Sequence, residues 1–525
     1  MSTTQRLFVL LVLTAGIGGC GTNPVTGKKE VQFVSESSEI RTGAQQYAPS
    51  RQSQGGDFKM LPELSAYVSE VGQKLAAVSE RQLPYEFTVL NSSVPNAWAL
   101  PGGKIAVNRG LLVSLENEAE LAAVLSHEIV HAAARHGAKA QERGTFLQAG
   151  MVAAQIGIAM RDPNSQLGNL ALQGAGLGAE LVMMKYGREA ELEADKYGIN
   201  YMHKVGYDTN AAVSLQEKFL KLSQAGGKRA GWLDGLFASH PPSEERVAKN
   251  RVTADAVGTG GELKAPDYKA RVAPLLAMQP AYEKADAALV AAAKKDLAGA
   301  KALATEAARM LPREARFQQL LGDLALSNKE PQAALPYYEK AIALDSSYFG
   351  PYLGAGVASY KLGNKAKAEQ WLTQSNQLLP TAPGLYYLGV LAKESGNVER
   401  ALELYRGAAE SQSEIGQRAA AEYAALDLSR NPGNYIATAA QTGTRGELVL
   451  VLENRAPVAL SEIAVTPVLV DASGRILQQA RVVSIGRALQ PGERIAVDAG
   501  VGQVSPELLQ QIRFRIDSAK SVQQP

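Results

Sequence analysis

The chain of 525 residues has little of three things, and each scarcity excludes a class of protein. Its one cysteine, Cys20, excludes a disulfide framework and a zinc site made of several thiolates. The net charge of +2, from 54 basic and 52 acidic residues, lacks the basic excess of a nucleic-acid-binding protein, so we expect no nucleic-acid partner. There are five histidines, few enough to weigh each one as a metal ligand.

The position of the cysteine predicts a lipid anchor. Residues 1–19 have an arginine, an apolar run and then small residues, a pattern typical of a secretory signal peptide and too short to span a bilayer. The ending IGGC at 17–20 resembles a bacterial lipobox, which implies that Cys20 is lipidated and becomes the N-terminus. An ordinary signal peptide with an incidental cysteine is the alternative. By resemblance to sorting rules, Gly21 favours the periplasmic face of the outer membrane.

The length indicates two to four domains, each with its own core. The predicted segments are a tether at 20–57, an α+β domain at 58–255, a linker at 256–280, helical repeats with a capping helix at 281–435 and a β-sandwich at 436–525. Apolar stretches at 147–160 and 170–184 are interrupted by glutamine and glutamate. They are therefore predicted to be buried or to lie beside a membrane or substrate, with a transmembrane hairpin as the alternative.

A repeat of 34 residues predicts an α-solenoid of tetratricopeptide repeats. Small residues recur at intervals of 34, 34 and 33 residues: Ala300, Ala334, Ala368 and Ala401. Glycines recur at the same intervals: Gly322, Gly356 and Gly389. After the repeats the period changes to two, as in the alternation of apolar and charged residues in QIRFRID at 511–517, which is typical of a half-buried strand. Several such strands with turn residues between them predict a small β-sandwich.

The stretch SHEIVHAAARHG at 126–137 contains the pattern His-Glu-x-x-His. His127 and His131 are four residues apart, so on a helix both imidazoles face the same side and can bind one zinc ion. Glu128 lies between them, where its carboxylate can reach a water molecule at the metal. Asn117, with Glu120 three residues later, predicts the start of the supporting helix.

The third ligand must come from elsewhere in the chain. His136 lies five residues after His131, about 140° around a straight helix, so it is predicted to be a surface residue at the helix end. His203 is also predicted to lie at the surface. In YGREAELEADKYG at 186–198, Glu191 and Asp195 share a helical face, and Glu189 and Glu193 form a competing pair.

Together these motifs resemble those of the CAAX prenyl endopeptidase and HtpX family of membrane-associated zinc metallopeptidases. The second motif of that family, E-x-x-x-D, is matched by residues 191–195. The resemblance covers about residues 21–255 and implies an α+β, zincin-like (gluzincin) domain with one zinc ion per chain. It also implies that Glu191 is a zinc ligand and that Asp195 is a supporting acid, which either orients a ligand or donates a proton.

Two further segments match the same family. Residues 94–112 resemble the strand pair before the catalytic helix, and Asn96, Ala97, Trp98 and Ala99 are predicted to bind substrate by edge pairing. The segment SHPPSEERV at 239–247 supplies His240 and Arg246. His240 has three interpretations: a plug in the open zinc position, which we favour, a donor to the oxyanion, or a packing histidine.

The order of lipobox, peptidase domain and repeats resembles the β-barrel assembly-enhancing proteases of Gram-negative envelopes, except for the C-terminal β-domain. The resemblance implies a zinc metalloendopeptidase that degrades misfolded or stalled envelope proteins in the periplasm. The repeats would recruit these substrates or the outer-membrane assembly machinery. The alternative is a non-catalytic scaffold or chaperone in envelope protein assembly.

We expect Cys20→Ser to release the protein from membranes into the periplasmic fraction, because the serine cannot be lipidated. Fractionation of cells followed by immunoblotting measures this. If the variant still sediments with membranes, an independent anchor is present, and residues 147–184 are the candidate for it.

Overall fold

The structure is a computed structural model that describes residues 20–140, 186–224 and 234–522. The predicted signal peptide and the apolar stretches at 147–160 and 170–184 lie outside the described residues. None of the helices in the described ranges is long and apolar enough to cross a bilayer. The chain divides into two compact units, residues 1–354 and 355–525, so their boundary lies within the repeats.

Residues 20–57, predicted as a tether, are folded. Strands β1 (Cys20–Thr22) and β2 (Lys29–Val31) form an antiparallel hairpin, and helix α1 (Glu36–Ser53) follows. The side chain of Ser35 caps α1 by accepting a hydrogen bond from the backbone N–H of Ser38 at 3.2 Å. The segment therefore belongs to the folded domain.

The α+β domain is built on helix α2 (Pro62–Ala76) and strands β3 (Glu86–Leu90), β4 (Ala97–Leu100) and β5 (Lys104–Asn108). The sheet order is β3-β5-β4, with β3 parallel and β4 antiparallel to β5. The helices that follow are α3 (Arg109–Leu112), α4 (Glu118–Ala133), α5 (Arg188–Val205), α6 (Asn210–Gln224), α7 (Asp234–Ser239) and α8 (Glu244–Val257). This domain confirms the predicted α+β class.

Helix α4 begins where the sequence predicted. The Asn117 side chain accepts from the backbone N–H of Glu120 at 2.8 Å, and the Glu120 carboxylate accepts from the backbone N–H of Glu116 at 2.8 Å. Most residues of α4 are buried on all sides, so it is the central helix of the domain. Helix α5 packs closely on it because Gly198 has no side chain: a Cβ there would lie 3.1 Å from Ser126 Oγ.

The repeats consist of paired helices. They are α9 (Ala265–Ala293), α10 (Leu297–Met310), α11 (Ala315–Ser327), α12 (Pro331–Leu344), α13 (Phe349–Lys361), α14 (Lys365–Leu378), α15 (Ala382–Glu394), α16 (Val398–Ala409) and α17 (Glu414–Asp427). The predicted linker at 256–280 is therefore occupied in part by α9. The repeating glycine lies where two helices touch, as the Gly389 contact with the Tyr405 ring shows.

The C-terminal region forms two small sheets. One has the order β11 (Arg494–Gln503), β7 (Glu447–Asn454), β6 (Ile436–Thr442). The other has the order β10 (Val483–Ile485), β8 (Leu460–Val470), β12 (Ile512–Ser521), with β9 (Ile476–Gln479) also paired to β8. Side chains of both sheets share one core, including Leu450 from β7 and Val465 from β8. The predicted β-sandwich is confirmed.

The repeat glycines provide a test of helix packing. A Cβ at Gly389 would lie 2.7 Å from the Tyr405 ring, closer than packed atoms approach. We expect Gly389→Ala to destabilise the repeats by about 1–3 kcal/mol, because overpacking outweighs the gain in helix propensity. Gly433→Ala is the control, since no atom lies within 4 Å of the added Cβ. Urea unfolding followed by circular dichroism measures both, and equal stability would contradict the close helix contact.

Candidate metal centre

Two helices place the predicted ligands together. His127 and His131 come from adjacent turns of α4, and their Nε2 atoms are 3.0 Å apart. Glu191, in the first turn of α5, places one carboxylate oxygen 3.5 Å from His127 Nε2 and the other 3.3 Å from His131 Nε2. All three side chains are buried. The two histidines of α4 and the glutamate of α5 therefore face one another across a space the size of a metal ion.

The spacing of these donor atoms fits zinc. Tetrahedral zinc binds histidine nitrogen and carboxylate oxygen at about 2.0–2.2 Å, which places neighbouring ligand atoms about 3.3–3.5 Å apart. The observed separations of 3.0, 3.3 and 3.5 Å are close to that value. Two imidazoles and one carboxylate are also a donor set that zinc accepts. The residues present therefore fit the ion that the sequence predicted.

His240 joins the same cluster as a fourth donor. It follows α7 directly, and its Nδ1 lies 3.1 Å from a Glu191 oxygen and 3.3 Å from His127 Nε2. Its Nε2 lies 3.5 Å from Glu128 Oε1. In this position the His240 ring can occupy the fourth ligand position, as a plug would. It also lies close enough to Glu128 to take part in the reaction. Both active roles of His240 stay predictions.

Asp195 and Arg246 lie behind the ligands. Asp195 Oδ1 is 2.8 Å from His127 Nδ1, the ring nitrogen that faces away from the cluster. Arg246 donates two bonds to the Asp195 carboxylate, at 2.7 and 2.8 Å, and its Nη1 lies 2.9 Å from Glu191. Burial alone would raise the pKa of Asp195, but the charge and hydrogen bonds of Arg246, together with those of His127, outweigh burial and lower that pKa. Of the two roles left open for Asp195, this geometry favours orienting a ligand.

The surface prediction for His136 is wrong. His136 is buried, with its Nδ1 2.9 Å from His131 Nδ1 and its Nε2 3.2 Å from Glu193. The prediction assumed a straight helix, but α4 ends at Ala133 and Arg135 has a φ of 63°. This left-handed residue reverses the chain and turns His136 back under His131. A sequence pattern does not show such a reversal at a residue other than glycine.

Glu189 and Glu193, the alternative pair of acidic residues, do not lie among the metal ligands. Glu189 is exposed, and Glu193 pairs with His136 and not with the ligand histidines. Neither belongs to the group that could hold a metal, whereas Glu191 does. His203 is exposed, as predicted.

Glu128 is buried beside the cluster without belonging to it. Within the described ranges its Oε2 has no hydrogen-bond partner, and burial raises the pKa of the carboxyl group. Glu128 also lines a cavity of about 60 Å³ that His127 and His240 border. Since a water molecule needs about 10–15 Å³, the cavity has room for water beside Glu128.

The predicted substrate strand lies at the edge of the sheet. Strand β4 (Ala97–Leu100) pairs with β5 on one side, and among the described strands it has no other partner. It packs against α4, the helix of the two ligand histidines. Asn96 Oδ1 and Trp98 Nε1 are buried and unpaired within the described ranges. The edge of β4 is therefore placed alongside the metal centre.

Two protein-family models match parts of this chain, and one of the matched regions contains the residues of the metal centre. Residues 62–253 match the model of peptidase family M48, and residues 315–348 match a tetratricopeptide repeat. Residues 62–253 form a peptidase family M48 domain. The M48 domain contains both ligand helices, strand β4 and Arg246. The matched region is similar to a peptidase domain, and helical repeats follow it, as predicted.

Three curated relatives show the same domain. The chain is 32% identical over 230 residues to the mitochondrial metalloendopeptidase OMA1 of Schizosaccharomyces pombe, covering 43% of this chain and 64% of that one. It is 30% identical over 198 residues to the β-barrel assembly-enhancing protease of Escherichia coli K12, covering 37% and 39%. It is 29% identical over 206 residues to the metalloprotease YcaL of the same organism, covering 38% and 74%. The first two matches thus span less than two thirds of the relatives' length.

The ligand assignment is tested by metal content. We expect Glu191→Ala to lose the bound metal, because the change removes one of three protein ligands. Glu189→Ala, on the exposed side of the same helix, is the matched control and should retain it. Elemental analysis of the purified proteins measures the metal per chain. Loss of metal in Glu189→Ala together with retention in Glu191→Ala would show that the ligand register is wrong.

Proposed function

We propose that the chain is a zinc-dependent metalloendopeptidase that binds one zinc ion. The observation that carries this proposal is Glu128, a buried carboxylate with one oxygen that has no hydrogen-bond partner among the described residues and that lines a cavity beside the His127, His131 and Glu191 cluster. A buried carboxylate without a hydrogen-bond partner is costly for stability, and such groups are retained where chemistry needs them. Membership of the M48 domain in a family of peptidases supports this proposal.

The residues divide the work of peptide hydrolysis. His127, His131 and Glu191 would hold the ion, which when bound supplies Lewis acidity toward a carbonyl oxygen and toward water. Glu128 takes a proton from the attacking water and delivers it to the leaving amine. Asp195 keeps the His127 ring oriented, and Arg246 holds the Asp195 carboxylate in place.

The substrate strand is proposed to be β4. An extended peptide can add to the edge of β4 that has no strand partner among the described strands, through main-chain hydrogen bonds, which tolerate many side chains. The packing of β4 against α4 would place the peptide across the metal centre. Such binding requires an unfolded or locally extended substrate, because a folded strand already has its partners.

The cellular role is proposed from the relatives and from the sequence pattern. One relative is named a β-barrel assembly-enhancing protease, and this chain shares its M48 domain. We propose that the substrates are misfolded or stalled envelope proteins, and that the repeats recruit them or the outer-membrane assembly machinery. Lipidation of Cys20 would hold the protein on the periplasmic face of the outer membrane.

A non-catalytic scaffold is the alternative function. The repeats and the β-sandwich would then bind partners, and the metal would serve stability alone. Zinc at one per chain without any chelator-sensitive cleavage of unfolded casein would favour the scaffold. The buried carboxylate of Glu128, with Oε2 unpaired among the described residues, favours the enzyme, because a structural zinc site does not need it.

The role of Glu128 is tested by Glu128→Gln, which keeps the shape but cannot accept a proton. We expect cleavage of unfolded casein to fall by about 10²–10⁴-fold or more while zinc stays bound, since Glu128 is not a ligand. Glu189→Gln should cleave at the wild-type rate and controls for the loss of one acidic charge. Loss of zinc in Glu128→Gln would mean that its role has been assigned wrongly.

A further inference from the structure

We infer that the segment directly after Cys20 positions the metal centre through a chain of hydrogen bonds from Asn23 to Glu193, His136 and His131. This inference rests on the proposed function, because His131 must bind the metal for its orientation to matter. It assigns a role to Asn23, Glu193 and His136, which the sequence motifs left outside the site. The three are positioning residues and do not touch the reacting atoms.

Asn23 is fixed by its own turn. The side chain is fully buried, and its Oδ1 accepts from the backbone N–H of Val25 at 2.9 Å and of Thr26 at 3.1 Å. This leaves the amide Nδ2 to donate to Glu193 Oε1 at 3.0 Å and to Glu30 Oε1 at 3.2 Å. The hairpin of β1 and β2 therefore delivers a donor to a carboxylate on α5, 170 residues away in sequence.

From the metal centre outward, each ring donates to the next acceptor, and the bonds end at Glu193, where Asn23 donates from the other side. If His131 binds the metal through Nε2, its neutral ring carries a proton on Nδ1, which donates to His136 Nδ1 at 2.9 Å. His136 then carries its proton on Nε2 and donates to Glu193 Oε1 at 3.2 Å. Glu193 accepts from both His136 and Asn23. Every donor in this chain has an acceptor, so the tautomers of both rings are determined.

The hydrogen bonds behind His131 orient this ligand as Asp195 orients the other histidine ligand, His127. A metal-binding histidine is oriented by the hydrogen bond at its other nitrogen, most often to a carboxylate. His127 has Asp195 directly behind it, at 2.8 Å. Among the residues that the structure describes, none places a carboxylate within reach of His131 Nδ1, and His136 extends the link to Glu193.

The N-terminal segment also holds the chain reversal that makes this possible. Arg135, the left-handed residue before His136, donates to the carboxylate of Glu39 and to the carbonyl oxygen of Val34. Glu39 is buried in α1 and also accepts from Arg81 at 3.0 Å. A left-handed conformation is unfavourable for a residue other than glycine, and these contacts stabilise it at Arg135.

The test compares metal affinity in the full-length protein. We expect Glu193→Gln and Asn23→Ala each to weaken zinc binding by about 10–100-fold, measured by competition with a chromophoric chelator. The visible absorption bands of the cobalt-substituted protein should shift in both, because the His131 ring loses its orientation. The double variant should bind no more weakly than the single variant of lower affinity, since glutamine replaces the charged acceptor of the chain by a neutral one and alanine removes the donor of the same chain.

Controls separate positioning from packing. Glu189→Gln and Thr22→Ala change exposed residues on the same two elements and should leave affinity and spectrum unchanged. Val25→Ala removes buried apolar contact from the hairpin, so it should lower the melting temperature without changing the affinity.

Two results would overturn the inference. One is wild-type affinity and spectrum in both Glu193→Gln and Asn23→Ala. The other is an equal loss of affinity in Val25→Ala, which would assign the segment a packing role. If the wild-type protein binds no metal, the proposed function itself fails, and the positioning role of this chain of hydrogen bonds fails with it.

Discussion

The burial of two carboxylates next to two histidines is the constraint on which the metal centre depends. Glu191 and Asp195 are both buried, and an unpaired buried charge costs several kcal/mol. Arg246 offsets this cost by bonding to both carboxylates. Arg246 is itself placed by the start of α8, where the Ser243 side chain accepts from its backbone N–H. The site is therefore complete only when α4, α5 and α8 have come together.

The first repeat helices make contacts with the α+β domain that holds the metal centre. Arg109, the first residue of α3, lies with its guanidinium 3.4 Å from the ring centroid of Tyr282 in α9. In the loop before β4, Asn91 donates to Glu314 at 3.2 Å and Ser93 donates to Asp286 at 3.1 Å. The loop that leads into the proposed substrate strand is thus held by repeat residues. Within residues 1–354, the repeats support the strand and are more than an attached module.

Much of the fold and part of the site were predictable because they follow from local periodicity. The 34-residue recurrence of Gly322, Gly356 and Gly389 marks the points where paired helices touch. The spacing of His127 and His131 places both rings on one face wherever the helix forms. The alternation at Ile512, Phe514 and Ile516 predicts a strand for the same reason. The histidine pair and the strand alternation each lie within one element, and the repeat recurs from one helix pair to the next, so all three can be recognised without the tertiary structure.

Glu191 is a different case, because the residues alone left it in competition with the pair Glu189 and Glu193. Family resemblance selected it, and the structure places it in the cluster because α5 presents that face to α4. The sequence alone could not place His136. Its position depends on the left-handed conformation of Arg135, and Arg135 is held by Glu39, which lies in a segment that was predicted to be a tether. The sequence by itself determined the elements and the face of α4 that carries the histidines. Only the tertiary structure decided which acids meet them and what orients them, because those contacts join residues far apart in the chain and depend on how buried charges are paired.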